Sequence, residues 1–285
     1  MEQALVIVWR ESVEALLVIG ILYAWLHRQG GQQHALLHLW GGVGAGLLLA
    51  GVLAALMALA GDWMSGPGGE WFQSGLSLLA CALILQMVQW MARHGGQLRH
   101  QLEQQADSAL QHGRLASLSL LVALAVAREG SETVIFLYGV SASAANQADL
   151  ASLALGAGLG LLLGLLCFAL LQAGSRFIAW RQFFLVSEVL LLLLGGALLM
   201  SAVDRASGQW MAMDLPEQLY TLLSEPLWDS SALLDDGSKP GALLASLSGY
   251  RAMPSALQVG LLGSYWLLAW NLLRQPRRVL QSRLA

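Results

Sequence analysis

Long apolar runs, separated by short polar stretches, organise this chain. About 20 consecutive apolar residues cross the hydrocarbon core of a bilayer as a helix. Segments of that length cover residues 4–26, 37–60, 72–92, 115–138, 150–173, 183–203 and 256–273. The pattern predicts an all-α integral membrane protein with seven transmembrane helices. The first run starts almost at Met1 without a basic flank, so it is expected to stay as an anchor rather than be removed as a leader. Composition points the same way: only 12% of residues are charged, against about 25% in a soluble domain. Cys81 and Cys167 sit inside apolar runs and read as small buried hydrophobes, not as a disulfide framework.

Charge between the runs sets an orientation. Arg28, Arg93, Arg99, Arg114, Arg176 and Arg181 fall in one set of alternate loops, as does the C-terminal cluster from Arg274 to Arg283. The opposite set holds only Arg205, Lys239 and Arg251. Basic loops stay cytoplasmic, so the N-terminus is expected outside and the C-terminus inside. The acidic residues mirror this: Asp62, Glu70, Asp149 and the 204–255 segment fall outside, which favours approach of cations. That segment carries Pro216, Pro226, Pro240 and Pro254 and is expected to fold over the outer face as short helices and turns. The polar cytoplasmic stretch 93–114 is expected to be partly helical.

The chain also repeats. Arg10-Glu11-Ser12-Val13-Glu14 recurs 118 residues later as Arg128-Glu129-Gly130-Ser131-Glu132. Gly42-x-Gly44-x-Gly46-Leu-Leu-Leu in the second run recurs as Gly156-x-Gly158-x-Gly160-Leu-Leu-Leu in the fifth. Three helices per copy make the second copy inverted, a design that recurs in transporters with a site near the membrane midplane. The expected layout is one membrane domain over 1–285. Repeat one covers 1–92, inverted repeat two 115–203, an external loop 204–255, and a seventh helix 256–273. The glycines have the spacing that lets helix backbones approach closely, so helices two and five are expected to buttress the helices that carry the charges.

The charges are the candidate chemistry. A charged side chain at mid-membrane costs roughly 2.5–3.5 kcal/mol on insertion scales. Two matched groups of three such residues therefore point to a protein that handles an ion inside the membrane. Residues at i and i+3 share a helix face, so Glu11 and Glu14 project together, as do Glu129 and Glu132. Arg10 can reach Glu14, and Arg128 can reach Glu132; each group sums to one net negative charge, which a multivalent cation would neutralise. Four carboxylates with no His or Cys nearby form a hard oxygen site, suited to Ca, Mg, Mn or ferric iron. All six histidines map to the cytoplasmic side or its edge. Glu188 in the sixth run is a further buried carboxylate: an auxiliary ligand, a proton acceptor, or a partner of Arg10 or Arg128. Gln86 and Gln89 are weaker candidates for lining a pathway, and Asp229, Asp235 and Asp236 are possible collectors on the outer loop.

At these residues the chain resembles the high-affinity iron permease family, which includes fungal ferric permeases and bacterial iron uptake permeases. The family's Arg-Glu-Gly-x-Glu motif is matched fully by Arg128-Glu129-Gly130-Ser131-Glu132; the first copy has Ser12 in place of Gly. Trp90-Met91, Trp228-Asp229-x-Ser231 and Gly249-Tyr250-x-Ala252-x-Pro254-Ser255 are also similar, and the resemblance spans nearly the whole chain. It implies uptake of iron, with ferric iron delivered after oxidation, across the cytoplasmic membrane. The implied ligands are Glu11, Glu14, Glu129 and Glu132, with Arg10 and Arg128 in support. It implies iron as substrate rather than as a permanently bound cofactor, and a separate ferroxidase or periplasmic iron-binding protein as partner. The alternatives are a permease for another divalent metal such as lead or manganese, and a proton-coupled carrier. No HExxH or GxSxG motif is present, so an embedded enzyme is not expected, and nothing indicates nucleic acid.

Overall fold

The computed structural model describes residues 1–28, 33–63, 67–94, 104, 115–141, 147–172, 180–213, 216 and 223–282. Each predicted apolar run lies in a long helix. These are α1 (Glu2–Arg28), α2 (Gln33–Trp63), α3 (Pro67–His94), α4 (Leu115–Ser141), α5 (Gln147–Gln172) and α6 (Trp180–Met211). A short α7 (Lys239–Ser248) precedes the long α8 (Ala256–Ser282). Helix ends follow local chemistry. Glu2 opens α1, and His27 and Arg28 close it, matching the helix dipole; Pro67 starts α3 at the one position where its missing N–H costs nothing.

Among the described residues, five helices are long and apolar enough to cross a membrane: α2, α3, α5, α6 and α8. Each of α1 and α4 carries an arginine and two glutamates within an otherwise apolar run. The packing explains how such helices are housed. α2 packs most extensively on α4, α5 on α1 and α3 on α6, and α1 also meets α4. The charged helices thus lie inside, while α2 and α5 present leucines such as Leu48, Leu56, Leu155 and Leu162 outward. In a bilayer those side chains meet lipid at no cost.

The glycine stripes make the pairings possible. A Cβ at Gly46 would lie 2.7 Å from Val126 Cβ and 2.8 Å from the Ala123 carbonyl oxygen of α4. A Cβ at Gly160 would lie 2.6 Å from the Leu5 carbonyl oxygen of α1. Gly44 and Gly158, between these contacts, face open space. The two copies of the glycine pattern therefore do the same thing, each to the charged helix of the other copy.

Apolar packing brackets the charged groups. One cluster gathers Ile7, Ile84, Phe136, Leu194 and Tyr265. Another gathers Leu22, Leu39, Leu118 and Val122. Along α1 and along α4, both charged groups fall between the two clusters.

The outer segment departs from expectation at its start. Residues 204–211, expected as loop, continue α6. The polar groups there are anchored: Arg205 Nη1 reaches Glu70 at 3.2 Å and Gln73 at 2.8 Å on α3. Asp204 accepts from Arg251 Nε at 3.1 Å and from Gln258 Nε2 at 2.6 Å. Such contacts carry the helix past the end of its apolar run. Beyond it, α7 is capped by Ser238, whose Oγ accepts from Gly241 N, and by Gly249 in the left-handed conformation at φ 76°. Gln3 at the start of α1 donates to the Ser246 carbonyl of α7. Asp214 and Glu217, and most of 93–114, lie outside the described residues.

Candidate metal centre

Glu11, Glu14 and Glu129 each offer a carboxylate oxygen within 4.8 Å of the others. Two come from α1 and one from α4, so the antiparallel meeting of these helices builds the group. Spacing within each copy supplies the rest. Arg10 Nη2 lies 2.6 Å from Glu14 Oε1, and Nη1 donates to Glu11 Oε1 at 2.9 Å. Arg128 Nε donates to Glu132 Oε1 at 3.0 Å and lies 4.0 Å from Glu129 Oε1. Both i,i+4 pairs expected from the sequence form.

The fourth predicted carboxylate stands apart. Glu132 is held by Arg128 and does not join the close trio, and its Oε2 is buried without a hydrogen-bond partner among the described residues. Glu11 Oε2 and Glu129 Oε2 are in the same condition. Buried carboxylate oxygens normally find partners. At an effective dielectric of about 20, two unit charges about 5 Å apart repel by roughly 3 kcal/mol. Three carboxylates so arranged, with spare lone pairs, are suited to a multivalent cation.

From α3 the sequence marks Trp90, within Trp90-Met91, but not Met87. Met87 Sδ lies 2.8 Å from Arg10 Nη1, and the Arg128 guanidinium stacks over the Trp90 ring, 4.8 Å from its centroid. Met87 and Trp90 are three apart on one helix, hence on one face; that spacing was the available signal. Gln86 is exposed and Gln89 half-buried. Glu188 is half-buried on α6 within electrostatic reach of Arg10 and Glu14. The structure leaves Asp229, Asp235 and Asp236 outside the trio. Asp229 Oδ1 accepts from Ser231 N at 2.8 Å, and Asp235 Oδ1 from Gly237 N at 2.9 Å, so both carboxylates shape turns. The Ser231 hydrogen bonds hold the exposed Asp229 carboxyl below its ordinary pKa. Trp228-Asp229-x-Ser231 meets the Gly249–Ser255 stretch directly: Leu227 N donates to Pro254 O and Ser230 N to Ala252 O, each at 2.9 Å. The Ser230 and Tyr250 hydroxyls lie 2.8 Å apart.

Of the histidines, His27 stacks on Tyr23 and His38 Nδ1 lies 3.0 Å from Ser119 Oγ. The side chains of His94, His100 and His112 lie outside the described residues. Cys81 and Cys167 are free; Trp9 Nε1 donates to Cys167 Sγ at 3.3 Å.

The chain as a whole is similar to known proteins. Residues 1–273 match the model of the iron permease FTR1 family. A ferrous iron permease of Escherichia coli O6:H1 (strain CFT073) is 32% identical over 265 residues, covering 89% of this chain and 88% of its own length. A ferrous iron permease of Yersinia pestis is 28% identical over 290 residues, covering 95% and 93%. No solved structure matches.

Proposed function

Because the chain belongs to the iron permease family, a group of multi-pass membrane proteins that transport iron, we propose that Glu11, Glu14 and Glu129 bind the iron in transit, with Glu132 as a fourth carboxylate. The observation that carries this reading is the approach of carboxylates from two matched motifs to within 4.8 Å. Neither copy supplies the trio alone. A site shared between repeats lets relative movement of the repeats expose it to one side or the other.

In this reading α1 to α6 and α8 are seven spans, with α1–α3 and α4–α6 as inverted repeats. Support comes from exchanged pairings: α2 on α4 and α5 on α1, with α3 on α6 and α1 on α4 across the axis. The basic loops face the cytoplasm and the N-terminus lies outside. Iron arrives at the acidic outer segment, where Asp229, Asp235 and Asp236 gather it, supplied by a separate ferroxidase or periplasmic iron-binding protein. Arg10 and Arg128 neutralise the carboxylates between cargoes and yield to the incoming cation. Glu188 takes up the charge of the displaced Arg10 guanidinium. The protein moves its cargo rather than converting it.

Two observations bear on the oxidation state. A carboxylate trio is a hard donor set and suits ferric iron, whereas the relatives are named ferrous iron permeases. The test is uptake of radioactive iron into proteoliposomes, offered as ferric or ferrous, by wild type and Glu129→Ala. Uptake that vanishes in the variant supports the site, and the preferred form identifies the cargo. Equal uptake by folded wild type and Glu129→Ala would remove Glu129 from the pathway. Competition by lead or manganese, and dependence on a proton gradient, would favour the other-metal or proton-coupled reading.

A further inference from the structure

Met87 holds a position that the carboxylate reading does not use. It is 3% exposed on α3, and its sulfur accepts a hydrogen bond from Arg10 Nη1 at 2.8 Å. The same nitrogen donates to Glu11 Oε1 at 2.9 Å, and Arg10 Nη2 faces Glu14 Oε1 at 2.6 Å. A buried cationic group is thus held by two carboxylate oxygens and one thioether sulfur. The guanidinium marks where positive charge is stable here, and its three partners mark which atoms would surround a cation that displaced it.

The choice of sulfur is informative. A thioether is a weak hydrogen-bond acceptor, a poor partner for a buried guanidinium whose Nε has no hydrogen-bond partner among the described residues. An amide oxygen would satisfy Arg10 better. As a metal donor, however, a thioether is soft, and softer donors separate iron from magnesium, calcium and manganese, which prefer oxygen alone.

We propose that Met87 Sδ is a ligand of the transported ion, joining Glu11 and Glu14 when the ion displaces the Arg10 guanidinium, and that it biases the permease toward ferrous iron over harder divalent cations. This rests on the reading that the carboxylate trio carries the ion. The site then draws on three helices, with α3 supplying selectivity and α1 and α4 supplying charge.

The experiment compares wild type, Met87→Leu and Glu14→Gln in proteoliposomes, measuring ferrous iron uptake under reducing conditions against added Mn²⁺. Leucine conserves volume and keeps the core packed. In Met87→Leu, the ratio of Mn²⁺ to iron that halves iron uptake is expected to fall about tenfold, the lower end of what loss of even an outer-shell partner costs a metal site. X-ray absorption of the ferrous-loaded protein, with Cys81 and Cys167 replaced by alanine, is expected to show a sulfur neighbour that Met87→Leu lacks. An unchanged ratio with no sulfur neighbour in wild type would overturn the proposal. Equal weakening of iron uptake and Mn²⁺ competition would also overturn it, by showing a packing role alone. Inactive Glu14→Gln alongside unaltered Met87→Leu would defeat only the sulfur ligand; normal uptake by Glu14→Gln would defeat the carboxylate site beneath it.

Discussion

Arg10 and Arg128 begin two copies of one motif, yet their surroundings differ. Arg10 is 1% exposed and contacts both glutamates of its own copy, whereas Arg128 is 41% exposed and contacts Glu132 closely but Glu129 only at 4.0 Å. Arg10 rests on the sulfur of Met87, Arg128 on the face of Trp90. The first copy is a closed network of charges; the second leaves one carboxylate free to turn toward the first. A repeated motif therefore sets the available groups, and the neighbouring helix decides what each group does. Here that neighbour is one face of α3.

The largest effects should come from the carboxylates. Glu11→Gln, Glu14→Gln and Glu129→Gln are expected to lower iron uptake in proteoliposomes by about a hundredfold or more, as loss of direct ligands should exceed the 10–100-fold cost of outer-shell changes. Glu132→Gln should cost clearly less, because Glu132 stands outside the trio. Equal loss in all four would erase the distinction between the copies.

The arginines should separate in stability. Arg10→Ala strands buried carboxylates, a change worth about 3–5 kcal/mol in comparable buried pairs. Arg128→Ala removes a guanidinium that is itself 41% exposed, so water can take over part of its role and the loss should be smaller. Thermal unfolding in detergent should show a large drop for the first and a small one for the second.

The third position of the motif offers a finer test. A Cβ at Gly164 would lie 2.9 Å from Ser12 Cβ, and a Cβ at Gly130 would lie 2.6 Å from Ala50 Cβ. Each copy has one small residue facing one glycine, but on opposite partners. Gly164→Ala should destabilise by about 1–3 kcal/mol through overpacking, and Ser12→Gly should restore much of that loss. Gly130→Ala with Ala50→Gly should behave likewise. Additive rather than compensating double variants would show that the contacts are independent.

The smallest effect belongs to Trp90. Trp90→Ala removes a cation–π contact worth about 0.5–1 kcal/mol at an exposed site and frees Arg128 to approach Glu129. Iron uptake should show a raised KM, and Trp90→Phe should recover most of it. A change in maximal rate alone would place Trp90 elsewhere in the cycle.

Much of this was legible in the sequence. The apolar runs located the long helices because bilayer thickness leaves little freedom in length, and motif spacing located the Arg10–Glu14 and Arg128–Glu132 pairs. The glycine stripes announced close neighbours, but glycine spacing does not say which helix approaches. That α2 meets α4 and α5 meets α1 emerges only in three dimensions. The substitution of Ser12 for glycine was a mild departure in sequence; its reason is the absent side chain at Gly164. Met87 was hidden because an apolar residue in an apolar helix carries no pattern of its own, and Trp90 stood out only through the Trp90-Met91 resemblance. The extension of α6 to Met211 depends on Arg205 reaching Glu70 and Gln73, contacts between residues far apart in the chain.

The central claim is that both motif copies contribute to one ion site. The direct measurement is iron binding to purified protein, counting ions bound per chain in wild type, Glu14→Gln and Glu129→Gln. A shared site predicts that either substitution alone abolishes the high-affinity iron bound by wild type. Retention of high-affinity iron by both single variants, with its loss only when both are combined, would show two independent sites and contradict the account.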